Sequence, residues 1–324
     1  MQDLKKSQAF IILAGLVMFL IVIDSQCYNY GDACLPDLGF VTTAPEVVSD
    51  PSILLKSFAH GEINKEWKEK LGAVYAIIAS KTLTGNYHTF PIISSIALLV
   101  VTYFLAFKIT SNRLASIISV GILEFSKTFM WYSDDIAYPN FFMTMLLLSI
   151  YPFTRSWIKP ISFIAGFVFK VEALAFFPLT FIREKDTRIR LAYIGIALLV
   201  GTVAIALNWV RFDGTINTTN ALYPQIGLYL LDQDMWVLSL LTPVTILLFY
   251  LRSKKVEWSG YLLLAMGYCL LFQYILPIFT SYNAYGYRML PFVVFFALSV
   301  ALIISKKDML LQRLRPNRLS SIDH

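Results

Sequence analysis

Long apolar runs broken by short polar stretches dominate this chain. The runs fall at about 8–23, 89–107, 114–131, 139–153, 190–210, 234–251, 258–279 and 287–305, with a further apolar segment at 160–182. A bilayer core about 30 Å thick needs roughly 20 such residues per helix, so the pattern predicts a series of membrane helices. Composition agrees. Of 324 residues, 57% are apolar and only 15% charged, against about a quarter charged in an ordinary soluble domain. A water-soluble globule is close to excluded. Met1–Leu20 starts like a signal peptide, with basic residues ahead of an apolar run. The run continues to Ile23 without a small-residue cleavage pattern, which reads as a retained first span and signal anchor.

Charge then orients the spans. Cytoplasmic connections are enriched in Lys and Arg. With Lys5 and Lys6 inside, the inside segments hold Lys108 and Arg113; Arg155 and Lys159; Arg183, Lys185, Arg188 and Arg190; Arg252, Lys254 and Lys255; and the tail from Lys306 through Arg318. That places 18 of the 27 basic residues on one side. The net charge of +6 is therefore mostly a topology signal, and nucleic acid is not an expected partner. Residues 160–182 test the scheme, because the basic clusters on both flanks belong inside. A split at Lys170–Glu172 satisfies them with two helices of about 15 to 18 Å, too short to cross unaided and stable only when packed among others. The plainer alternative is that the charge rule fails locally. The expected fold is an all-α polytopic membrane protein of about ten membrane helices. Both termini lie in the cytoplasm, and 1–324 forms a single integral membrane domain with no internal repeat.

The outer face carries the unusual material. Its first loop, 24–88, holds two juxtamembrane helices. One starts at Asp50-Pro51, an N-cap followed by proline at the first helical position, and stops near Gly61. The second, at about 64–80, sets Trp67, Leu71, Val74, Tyr75 and Ile78 against Lys65, Lys68 and Glu69, an amphipathic pattern suited to the interface. Further outer segments are 132–138, 211–233 and 280–287, and residues 306–324 form a basic cytoplasmic tail.

Charges at or inside the membrane edge are costly and usually functional. Asp24 stands where the first span ends, followed by Asp32 and Asp37. Asp134 and Asp135 close the third span. Lys170 and Glu172 mark the hairpin tip, Arg211 leaves the fifth full-length span, and Arg288 opens the last. Most of these collect at the outer leaflet boundary, where carboxylates can take protons and cations can bind phosphate. Plainer readings remain for each group: Asp24 as a boundary marker, Asp134 and Asp135 as solvated loop acids, Lys170 and Glu172 as a paired turn, Arg288 as an interfacial anchor. Glu124 and Lys127, three residues apart, read as a helix-face ion pair. Cys27 and Cys34 are both outside and suited to a small disulfide, whereas Cys269 reads as core. Asn217-Thr218-Thr219 is a glycosylation sequon on the outer side. His60 and His88 read as interfacial polar residues, and no metal motif is present.

Three stretches, in order, carry a family likeness. Residues 89–153 include Tyr103-Phe-Leu-Ala-Phe-Lys108, Asn112-Arg-Leu-Ala115 and Phe129-Met-Trp-Tyr-Ser-Asp134. Residues 165–178 read Ala-Gly-Phe-Val-Phe-Lys-Val-Glu-Ala-Leu-Ala-Phe-Phe-Pro. Residues 287–291 read Tyr-Arg-Met-Leu-Pro. Together with a first span ending in an acid and a long outer loop, they resemble the GT-C fold glycosyltransferases. The closest branch is the dolichyl-phosphate-mannose–protein mannosyltransferase and aminoarabinose-transferase-like group. The resemblance implies transfer of a sugar, with inversion, from a polyprenyl-phosphate donor to a protein, lipid or glycan acceptor outside the cytoplasm. It implies Asp24 as general base, and Asp134 or Asp135 as the second acid, binding acceptor or a divalent metal. It also implies Lys170 and Arg288 as ligands of the lipid phosphate, with Arg211 beside them. The family shows Asp-Glu or Glu-Asp after the first span, whereas here Ser25-Gln26 follow Asp24. Asp32, in Tyr-Gly-Asp-Ala, is therefore the alternative base. Two other classes stand beside this one: a transporter or lipid flippase, and a non-catalytic subunit of a membrane complex.

Overall fold

The computed structural model describes residues 4–30, 71–86, 89–133, 139–152, 157–169, 171–206, 234–279 and 289–314. All regular structure among them is helical. The helices are α1 (Lys6–Tyr30), α2 (Leu71–Thr84), α3 (Thr89–Thr110), α4 (Arg113–Glu124), α5 (Lys127–Trp131), α6 (Pro139–Ile150), α7 (Ile158–Phe169), α8 (Phe177–Arg183), α9 (Thr187–Ala206), α10 (Met235–Ser253), α11 (Ser259–Phe279), α12 (Leu290–Ser305) and α13 (Lys307–Leu314). A 3-10 helix, Val171–Phe176, leads into α8. Two of them, α3 and α10, are long and apolar enough to cross a membrane. Large apolar side chains also cover the outside of the bundle, among them Phe10 and Ile11 of α1, Leu198 and Leu199 of α9, and Ile246 and Phe249 of α10.

Helix α12 is the centre. From Leu290 to Ser299 every side chain is buried, and α3, α4, α6, α10 and α11 all pack against it. Small polar residues let these helices approach because their hydroxyls bond to their own backbones. Ser94 donates to the Phe90 carbonyl at 2.8 Å, Ser116 to Asn112 at 2.8 Å and Ser299 to Phe295 at 2.7 Å. Close helix contact through small residues is the usual packing solution where lipid removes the hydrophobic drive between helices.

The turns carrying the basic clusters gather at one end of the bundle. Arg113 donates to the Leu4 carbonyl at 3.2 Å, joining the chain start to the α3–α4 turn. Glu184 pairs with Lys159 at 2.6 Å and accepts the Arg190 Nε–H at its backbone carbonyl at 2.7 Å. Arg183 meets Glu257 at 3.3 Å and lies 3.7 Å from the centre of the Trp258 ring. This is the basic end; the opposite is the far end.

The segment 160–182 folds back on itself as the flanking charges require. Helix α7, 12 residues long, ends at Phe169, and the chain returns through the 3-10 helix and α8. The Lys159–Glu184 pair brings the two feet together. Hydroxyls of α11 secure the returning limb: Tyr261 donates to the Leu179 carbonyl at 3.1 Å and Tyr268 to that of Ala175.

One predicted span differs. The run 114–131 is not a single helix: it ends at Glu124 and restarts at Lys127. The break is local chemistry. The Ser126 hydroxyl accepts the Phe129 amide at 3.4 Å as an N-cap, and such a cap needs non-helical backbone.

Candidate functional site

Of the residues put forward for chemistry, Asp32, Asp134, Asp135, Lys170, Arg211 and Arg288 lie outside the described residues. So do Asp37, Lys65, Lys68, Glu69, His60, His88, Cys34 and the Asn217 sequon. Asp24 belongs to helix α1, and Glu172 to the 3-10 helix. Cys269 is buried and free, as expected of a core thiol. What the structure does place is the chain on either side of each candidate.

These flanks meet at the far end. Before Asp134, the Ser133 carbonyl accepts the Ser95 hydroxyl of α3. After Asp135, the Asn140 amide group of α6 donates to Ser95 Oγ at 2.6 Å and to the Tyr132 carbonyl at 3.0 Å. One asparagine thus ties the chain before and after residues 134–138 to α3. The Phe169 ring, beside Lys170, stacks on Phe141 with ring centres 3.8 Å apart. Helix α2 reaches the same place: a methyl group at Gly72 would meet Phe169 Cδ2 and the Val168 carbonyl oxygen, each at 2.8 Å. Only glycine permits that approach of backbone to backbone. At the start of α12, just after Arg288, Met289 and Leu290 are buried, and the helix packs on α5 and α6. Phe19 of α1 lies 6.3 Å, ring to ring, from Phe125, so the chain reaches Asp24 beyond the end of α4.

Asp234, ahead of α10, went unnoticed in the sequence. It is fully buried and makes no side-chain cap on its own helix. Its carboxylate instead accepts the Ser126 hydroxyl at 3.0 Å, the amides of Lys127 and Thr128 at 3.0 and 3.3 Å, and the Thr128 hydroxyl. It therefore caps α5 from another part of the chain, where an anion meets unpaired amides and the positive helix end. The sequence signal was an acid directly before an apolar run, which by itself predicts a cap on α10.

At the basic end, Glu184 is nearly buried. Burial opposes its ionisation. The Lys159 hydrogen bond and charge, with the amides of Asp186 and Lys185 at 2.9 and 2.8 Å, outweigh it and hold the carboxyl below the usual glutamate value. A lowered folded-state value gives stability that is present above the ordinary value of about 4.3 and lost as pH falls through the folded-state value. Glu184→Gln is therefore expected to lower the melting temperature at neutral pH and to converge with the parent in acid. Melting curves in detergent from neutral to acid pH measure this; parallel curves would show that the clasp contributes nothing.

The expected Glu124–Lys127 ion pair is not formed. Glu124 is buried and Lys127 exposed, and neither carboxyl oxygen of Glu124 has a hydrogen-bond partner. The helix break between them turns the two side chains apart. Among the described residues no group of three or more His, Cys, Asp or Glu is arranged to hold a metal ion; Asp134 and Asp135, the acids proposed for that role, lie outside them. No family model matches the chain, and comparison with curated proteins and with solved structures likewise yields no match.

Proposed function

We propose that the chain is a polytopic membrane glycosyltransferase of about ten membrane-embedded helices, with both termini and the basic end in the cytoplasm. It takes a sugar from a polyprenyl-phosphate donor at the far end, outside the cytoplasm. Asp24, or Asp32 in its place, removes the proton from an acceptor hydroxyl as that oxygen attacks the anomeric carbon. The phosphate leaves from the opposite face, so the product is inverted. Negative charge builds on the leaving phosphate, and preorganised cations there lower the barrier; Lys170, Arg288 and Arg211 have that role. Asp134 or Asp135 orients the acceptor.

One observation supports this reading above others. Chain segments adjoining Asp134, Asp135, Lys170 and Arg288 gather at a single end of the bundle, opposite the basic turns. The test is transfer of label from a radiolabelled polyprenyl-phosphate sugar in membranes containing the protein. Lys170→Ala and Arg288→Ala are each expected to raise the donor concentration needed by about tenfold or more, as loss of a charged hydrogen bond does. Unchanged donor dependence in both would remove the phosphate role.

The transporter reading also has an observation behind it, the pair of short helices α7 and α8, in contact through Phe163 and Phe177, which resembles the discontinuous helices of transporters. It predicts movement of the lipid-linked sugar between leaflets with no covalent transfer.

A further inference from the structure

Among the described residues, four buried side-chain oxygen atoms have no hydrogen-bond partner: Thr102 Oγ1, both carboxyl oxygens of Glu124, and Asn140 Oδ1. They lie on α3 and on the two helices, α4 and α6, that pack against it. Helices α3 and α4 run antiparallel from the turn at Ser111–Asn112, so Glu124 stands level with residue 99 and Thr102 about 4.5 Å along the axis toward the basic end. Asn140 bonds to Ser95, which lies about 6 Å from the Glu124 level toward the far end. Glu124 carries the only carboxyl among them, and on the neighbouring helix α3 Thr102 is the unpartnered group nearest its level.

Among the described residues, no charge is placed to compensate Glu124. Helix α12, packed against α4, has no ionisable residue, and its Ser299 hydroxyl is already given to the Phe295 carbonyl. Helix α3 brings Tyr103 and, at the basic end, an exposed Lys108; α5 brings Lys127, also exposed. Helix α1 brings Lys6 at the basic end, Asp24 beyond Phe125, and past it Cys27, Tyr28 and Tyr30. Arg113, at the start of α4, is about 16 Å away along the helix. Asp234, across Ser126, is committed to its own four donors. An ionised carboxyl enclosed without donors is strongly disfavoured, and acids kept inside membrane bundles typically carry ions or protons.

We propose that Glu124, with the Thr102 hydroxyl, is a binding site for one monovalent cation, taken up as a proton or as a sodium ion. The donor set is oxygen only and carries a single negative charge, which a single positive charge balances; a divalent ion calls for more carboxylates. The site is independent of the glycosyl-transfer reading and stands whether or not sugar is moved.

Reaction of the full-length chain in liposomes with dicyclohexylcarbodiimide, which attacks protonated carboxyls in apolar surroundings, tests it. Glu124 is read by mass mapping. Labelling that falls about tenfold per pH unit above its midpoint and ignores sodium identifies the proton. Labelling suppressed by sodium chloride but not by choline chloride identifies sodium. No labelling at Glu124, or labelling indifferent to both pH and sodium, overturns the proposal. A second measurement guards against an access artefact. The melting temperature of the parent should depend on pH or sodium in a way that Glu124→Gln abolishes and Thr102→Val weakens. Equal dependence in the parent and Glu124→Gln overturns it as well.

Discussion

Asp24→Asn is expected to bring sugar transfer down by about a hundred- to ten-thousand-fold, the contribution usual for a positioned general base, while the folded protein accumulates normally. An acceptor hydroxyl is a poor nucleophile until a base removes its proton, and an amide cannot do so. The substitution keeps the shape and the hydrogen-bonding reach of the side chain, so a loss of rate without a loss of protein points to proton transfer. Helix α1 carries Asp24 past the end of α4, where Phe19 and Phe125 are in contact. Asp32→Asn is the paired measurement. Whichever of the two substitutions stops transfer of labelled sugar in membranes identifies the base, and near-normal transfer in both would remove the catalytic reading.

The largest effect on stability is expected at Asp234. Asp234→Ala removes the acceptor of two hydroxyls and two backbone amides, all but the Lys127 amide enclosed where water does not replace it. Hydrogen bonds to a charged group contribute about 1.5–3 kcal/mol each and do not simply add, so a loss on the order of 3–5 kcal/mol is expected. Asp234→Asn keeps one acceptor oxygen but turns an NH2 group toward donors, and should fall between. Melting in detergent measures both. An Asp234→Ala protein that melts with the parent would mean that α5 is held by other contacts. Because α5 runs directly to Ser133, whose carbonyl is fixed by Ser95, loosening it should also disturb Asp134.

Much of this arrangement was legible in the residues. Apolar run lengths located the helices, and the basic clusters at Lys159 and Arg183–Arg190 required a fold-back between them, which the Lys159–Glu184 contact closes. The break at Ser126 was harder to see, because an apolar run looks continuous whether or not a hydroxyl interrupts its hydrogen bonds. The cap that makes it is local, but it is secured from more than a hundred residues away by Asp234, and long-range partners leave no mark in local spacing. The same break undoes the ion pair that the spacing of Glu124 and Lys127 suggests, a rule that holds only while the helix continues. The side chains of the candidate site lie outside the described residues; the stems around them are fixed by Asn140, Phe141 and Gly72, none of which suggested chemistry in advance.

Helix α12 sits at the middle of the bundle yet follows all the helices that enclose it in chain order. Under the proposed membrane fold, α3, α4 and α6 would enter the bilayer with their inner faces open, and α12 could not fill the slot until residues near 300 had left the ribosome. Domains that fold as they emerge usually complete a core early; this one must wait. Most hydroxyls on those waiting faces, Thr102 excepted, are bonded within their own helices and leave little for a passing chaperone or a neighbouring nascent chain to seize, whereas Glu124 stays open.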